Sequence, residues 1–428
     1  MRDNFRLASS PQVGYVGKRG LRLLRAYDLN QMNLNHDGLL QSFILAQQNL
    51  RKGCNPDGTG CPSGVTGQPV GILNTLFPGS SGINSSTSQT DLLRNAFANM
   101  MQRIDRTNIV AKGFPANFFR PNPQFSQILY LDSGGNSYYH ALQVHIRRHF
   151  EKGLDFGLAY TLGKSIDDMS VDPVGATSGG RIGTAGSPTT SSSVPVDIHN
   201  WRLDRSVSDF DNRHVLVGHA LWDIPVGRDR QFLANAPGYL NQIISGWSLT
   251  AIYNYESGEP FSVHSGAATA STSHQSRPDL IGPAPKTGLF NVPNVIGPVV
   301  FESSTFDPST NCVTFSNGGK LCIPVAGQNG NLGRNSFRGP SYWNFDFGTL
   351  KSFAITERFK LQFRAEFFNL LNHANFENPR NASNGSPTIT SSVFGQTCCN
   401  AASTASTATV IATGESPRVI QFALKLSF

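Results

Sequence analysis

The chain has 428 residues, enough for one large or two medium domains, and its 39% apolar and 15% charged content is that of an ordered protein. No run of about 18 apolar residues occurs, which excludes membrane-spanning helices but leaves transmembrane strands open, because those carry apolar residues only at alternate positions. The formal charge of +7 is scattered, without a Lys/Arg-rich run or an aromatic ladder, so nucleic acid is not expected as a partner.

The opening MRDNFRLASSPQVGYVG holds basic residues but no apolar stretch of about 7 to 15 residues, and so is no signal peptide. A strand is predicted from Pro11 to Gly17. In the long segment after it, Gly38 to Arg51 and Thr90 to Arg106 space Leu, Ile, Phe and Met as amphipathic helices do. Tyr138 to Phe150 then alternates with period two, placing Leu142, Val144 and Ile146 opposite Gln143, His145 and Arg147. After the turn at Glu151 to Gly153, Leu154 to Lys164 sets Leu154, Phe156, Leu158, Tyr160 and Leu162 against small and polar residues, which predicts a hairpin. Arg213 to Ile224 is a less regular strand, and Trp247 to Glu256 a regular one with Ile252 as its exception. Tyr342 to Phe353 and Phe359 to Asn369 form a second hairpin, the latter strand with Lys360, Gln362, Arg364 and Glu366 along one face.

The final RVIQFALKLSF alternates without a break: Ile420, Phe422, Leu424, Leu426 and Phe428 face one way, and Val419, Gln421, Ala423, Lys425 and Ser427 the other. An apolar face opposite a mostly polar one suits a strand with lipid outside and water inside. Short links at 151–153, 225–245 and 354–357 alternate with long ones at about 18–136, 165–210, 258–341 and 370–417. That is the asymmetry of a bacterial barrel, with short periplasmic turns and long external loops. Tyr138, Tyr139, Phe150, Tyr160, Trp222, Trp247, Tyr255, Trp343, Phe353 and Phe428 cluster near strand ends as interfacial girdles do. The expected fold is all-β: an antiparallel transmembrane β-barrel of about eight visible strands, with long external loops and short loop helices, over one partial domain spanning 1–428. The bacterial outer membrane is the expected location, its lipid one partner.

Chemistry is sparse. LGKS at Leu162 to Ser165 lacks the upstream Gly of a phosphate loop and ends a strand. His140, His145 and His149 split between the two faces of one strand, so no shared metal site is expected; Asp167, Asp168 and Asp172 read as a solvated acidic loop before they read as a Ca²⁺ site. No catalytic constellation or cofactor motif is found, and a non-enzymatic protein is expected. Cys54 with Cys61 and Cys312 with Cys322 are disulfide candidates in an oxidising compartment; the competing zinc reading lacks CxxC spacing and a His pair, and the state of Cys398 and Cys399 stays open. Gln143, His145, Arg147, Lys360, Gln362, Arg364, Glu366 and Lys425 form the candidate luminal row, facing a plug or a ligand path.

YVGKRGLRLLRAYDLNQ (15–31), SYYHALQVHIRRHFEKGLDFGLAYTLGKSIDD (137–168), SDFDNRHVLVGHALWDIPVG (208–227), GWSLTAIYNYESGEPFSV (246–263), NLGRNSFRGPSYWNFDFGTLKSF (331–353), FKLQFRAEFFNLLNHANF (359–376) and the closing strand together resemble the C-terminal half of TonB-dependent outer-membrane receptors of the Oar-like group. The resemblance implies a barrel of about 22 strands, an N-terminal regulatory domain, and a plug engaged by a TonB-type protein for uptake of a bulky solute. This chain lacks the signal, the regulatory domain and the plug, so it is expected to be the C-terminal portion of a longer protein, meeting the energising protein through the missing part. Phe422, Leu424, Leu426 and Phe428 resemble the terminal signal read by the barrel-assembly machinery. The alternatives are a surface adhesin anchored by a barrel and a soluble glycan-binding β-domain.

Overall fold

The computed structural model describes residues 9–78, 82–104, 106–150, 153–170, 195–228, 230–272, 275–292, 297–302, 305–356, 358–379, 387–397 and 417–427. In chain order the elements are β1 (Ser9–Asp28), α1 (Leu39–Arg51), α2 (Ile72–Leu76), α3 (Ser86–Leu93), α4 (Phe97–Gln102), α5 (Arg106–Ala111), β2 (Leu129–His149), β3 (Leu154–Asp167), β4 (Ser206–Val207), β5 (His214–Asp223), α6 (Gly238–Ile244) and β6 (Trp247–Glu256). Eight small strands follow: β7 (Pro260–Phe261), β8 (Asp279–Ile281), β9 (Thr287–Phe290), β10 (Val299–Phe301), β11 (Phe306–Asp307), β12 (Cys312–Thr314), β13 (Lys320–Cys322) and β14 (Phe337–Arg338). The chain closes with β15 (Tyr342–Ala354), β16 (Lys360–Phe368) and β17 (Val419–Ser427).

Eight strands make one antiparallel meander in the order β1-β2-β3-β5-β6-β15-β16-β17, with β4 added against β3. Among the described residues the sheet is open: β1 and β17 are its edges and do not pair with each other. β1 runs well beyond the expected Pro11 to Gly17. Its register against β2 shifts between Leu21 and Leu23 and again before Arg25, with Arg22 at φ 56°, and such bulges erase the period-two signal in GLRLLR. The predicted helix over Thr90 to Arg106 is likewise broken. Asn95 adopts φ 55° between α3 and α4, and a further break separates α4 from α5.

The packed core is not in the sheet. Of the described buried apolar residues, the long strands contribute only Ala26, Ala141 and Ala365, whereas two clusters lie in the long loops. The first joins Leu39, Phe43 and Ala46 of α1, at spacings of four and three that put them on one helix face, with Leu73, Leu92, Phe97, Met100 and Phe119. The second surrounds Phe301, whose ring centroid lies 5.2–6.0 Å from those of Phe261, Phe315, Phe337 and Phe394. Its scaffold is the four-stranded sheet β11-β12-β13-β8, where Cys312 is bonded to Cys322 across the ladder. Cys54 is bonded to Cys61 in the first loop; Cys398 and Cys399 lie outside the described residues. A soluble protein would bury one face of so large a sheet. Here Phe422 and Leu424 stand 67% and 68% exposed, which in water would be a costly apolar surface.

Candidate luminal wall and external mouth

The strand register decides which side chains share a face. Leu142, Val144 and Ile146 of β2 pair with Leu162, Tyr160 and Leu158 of β3, and β3 passes the same face to Leu216 and Trp222 of β5. From there it continues through Leu249, Tyr253 and Tyr255 of β6 to Phe347 and Phe345 of β15, then Phe367 of β16 and Ile420 of β17. Toward one end of the strands this face carries Tyr138, Tyr255 and Trp343, toward the other Trp222, Trp247 and Phe353. Tyr139 is the exception among the expected girdle residues, because its partners Lys18 and Ser165 place it on the opposite face. Phe428 lies outside the described residues.

The opposite face is mostly polar. Gln143 pairs with Thr161, His145 with Ala159 and Arg147 with Gly157. Arg147 Nη2 lies 3.4 Å from Asp155 Oδ2, and His149 Nδ1 lies 3.2 Å from the same oxygen. At the far end of the sheet Lys360 pairs with Ser427, Gln362 with Lys425, Arg364 with Ala423 and Glu366 with Gln421, and Arg364 Nε donates to Gln362 Oε1 at 3.0 Å. The candidate luminal residues thus occupy one face but two separate groups. Five strand steps lie between β2 and β16, about 24 Å across the sheet. Gly157 leaves room for the His219 ring, which a Cβ there would approach to 2.3 Å and push aside.

The register also shows what strand-by-strand reading missed. Val215, Val217 and Leu221 of β5 belong to the polar face, and Ile252, the exception in β6, pairs with His219 on that same face. The irregularity of one strand and the exception in its neighbour are therefore a single apolar stripe between the two polar groups. Only cross-strand pairing could reveal it, because each strand alone breaks its own alternation.

At the end of the sheet that meets the long loops, a cleft of about 270 Å³ is lined by Asn212, Glu256, Glu259, Tyr342, Asn375 and Glu377, among others. Asn212 Nδ2 donates to Glu256 Oε2 at 2.7 Å, and Asn375 bridges the Trp343 backbone in both directions at 3.0 Å. Three carboxylates among amides suit a polyhydroxylated or cationic solute, which can donate to them.

Ion pairs, two of them buried on both sides, tie the long loops to one another near this end of the sheet. Arg334, fully buried, donates to the Asp167 carboxylate at the end of β3 and to Ser170 Oγ at 3.1 Å, and lies 3.7 Å from Asp209. Arg277 donates to Asp204 at 2.9 Å, and Arg338 to the Asp211 carboxylate. Charges so deeply buried need partners, and these pairings also tie the 257–341 loop to the 168–213 loop. Asp167 is thus taken by Arg334, and Asp168 accepts from the Asn136 backbone at 3.0 Å, while Asp172 lies outside the described residues. Among the described residues no group of three or more His, Cys, Asp or Glu could hold a metal ion.

A family model described as outer membrane beta barrel domain matches residues 4–421 of the chain. Neither a curated protein nor a solved structure matches it.

Proposed function

Because the chain belongs to the outer membrane beta barrel domain family and so lies in the bacterial outer membrane, we propose that it is the barrel portion of a TonB-dependent receptor of the Oar-like group. In this reading it passes a bulky solute without chemical change. The observation that carries it is the polar inner face, Gln143, His145 and Arg147 at one side and Lys360 to Glu366 with Lys425 at the other, running to an acid-lined mouth beneath folded loops. The open edges of β1 and β17 also favour a wide ring, since an unpaired strand edge is too costly to leave in hydrocarbon. The apolar stripe of Val217, Leu221 and Ile252 gives such a ring a surface on which a plug could pack, with a TonB-type protein acting on that plug.

One observation favours a second reading. Among the described residues the loops hold two cores, two disulfides, two buried Arg–Asp ties and a third that is partly exposed, an investment that suits a surface adhesin or binding protein on a barrel anchor. Planar-bilayer recording of a closed barrel that contains this chain as part of its wall separates the two. The transport reading expects ion conductance whose anion–cation selectivity changes in Arg364→Gln, because a luminal charge sets the local ion concentration. Absence of conductance, or conductance indifferent to that substitution, would favour the anchor.

A further inference from the structure

Of the links on the short-loop side, 150–153 and 355–359 are tight, but 224–246 contains α6 and a folded approach to it. Phe232 N donates to Pro225 O at 3.0 Å, and Arg228 N to Asn241 Oδ1 at 2.6 Å, so the approach is folded back on the helix. Two side chains then decide on which side of the wall α6 sits. Trp247 shares the lipid-side face with Leu249 and Tyr253, and its Nε1 donates to Ile243 O at 2.9 Å. Lys351 pairs with Trp247 and Phe363 on that same face, and its ammonium donates to Ser245 O.

A lysine in a lipid-facing row is costly unless its charge finds partners near the interface. Lys351 is only 2% exposed, with its ammonium 4.8 Å from the Phe353 ring centroid and 5.6 Å from that of Trp247. Its charge also meets the carbonyl end of α6, where a cation is favourable. Both tethers point outward from the sheet and both end on the last turn of α6. The helix is therefore drawn against the lipid side of the wall and not beneath the lumen.

On this tethered link Tyr239 and Ile243, one helical turn apart, are 77% and 64% exposed, and Phe232 and Leu233 are also exposed. Arg228 and Arg230 are exposed beside them. We infer that residues 230–246, with Arg228 held beside them by its bond to Asn241, form an interfacial anchor that binds phospholipid of the periplasmic leaflet. The four apolar side chains enter the boundary between headgroups and acyl chains, and the two arginines meet the phosphates. Two features select lipid over a protein partner: the patch is continuous with the lipid-side row through Trp247 and Phe353, and the link, with Arg228 and Arg230 against Asp229, keeps a net charge of +1 toward an anionic headgroup.

Photocrosslinking of the full chain in the outer membrane tests this. Tyr239 and Ile243 are each replaced by p-benzoylphenylalanine (Tyr239→p-benzoylphenylalanine, Ile243→p-benzoylphenylalanine), as are Leu424 in the lipid-side row and Gln362 on the luminal face. After irradiation, phospholipid adducts are expected at 239, 243 and 424 but not at 362. Positions 239 and 243 behaving like 362, or yielding a protein adduct in place of lipid, would overturn the inference. Adding Lys351→Met should lower the adduct at 243 while leaving that at 424 intact, the latter reporting that the wall still assembles. An unchanged adduct at 243 in that variant would refute the tether.

Discussion

Leu424→Arg tests the assignment of faces most directly. β17 has nine residues, which at about 3.3 Å each and a tilt of about 45° cover about 21 Å of membrane thickness. Leu424 follows the central Ala423 by one residue and therefore lies within about 3 Å of the midplane by the same geometry. It pairs with Phe363 on the lipid-side face and is 68% exposed. An arginine there should cost about 2 to 4 kcal/mol, against about 0 to 1 near an interface. Leu361, the second residue of β16, is close to the periplasmic interface, so Leu361→Arg should fall toward the lower value. Gln421→Arg, on the luminal face opposite Glu366, should be neutral or favourable by about 0.2 to 1 kcal/mol through a cross-strand ion pair. Equilibrium guanidinium unfolding of the chain in phospholipid vesicles, with linear extrapolation for each variant, measures all three. Equal costs for Leu424→Arg and Gln421→Arg would refute the reasoning, since no shared face could then separate lipid from water.

Arg334→Met leaves the Asp167 carboxylate buried without its cation and should destabilise the tie between the 257–341 and 168–213 loops by about 3 to 5 kcal/mol, read as faster hydrogen exchange at β4 and residues 331–338. Burial pushes the Asp57 carboxyl up, but hydrogen bonds from the Thr59 hydroxyl, the Thr59 backbone and Asn84 outweigh it and hold it below its ordinary value. Its folded value is thus depressed, so its contribution is present at neutral pH and lost only as pH falls below about 4. Exchange protection of the Thr59 amide should follow that course and lose its pH dependence in Asp57→Asn. Phe428→Ala should slow assembly into the membrane while changing the folded stability less, as pulse-chase insertion and vesicle unfolding would show together; unaltered insertion would count against a terminal signal.

Much of the membrane wall was legible because a strand displays its environment locally. In β3 and β17 each residue's face follows from its position alone, so alternation exposed the apolar face and the mostly polar one. Where a strand bulges, as β1 does around Arg22, the same reading stops early. It also failed for β5 and Ile252, whose apolar residues on the polar face make sense only beside one another. The loops were legible as loops, with helical spacing in α1, but not as a folded cap.

Which residues share a face of β2, β3, β6, β15, β16 and β17 is set locally, because hydrophobic alternation with period two is a property of consecutive residues. Tertiary structure alone decided how the long loops are tied together and where α6 lies. Arg334 finds Asp167 across 167 residues and Lys351 finds Ser245 across 106, and no local periodicity records such a pairing. Those partners are chosen by the cost of burying a charge, which is settled only when distant segments have closed around it.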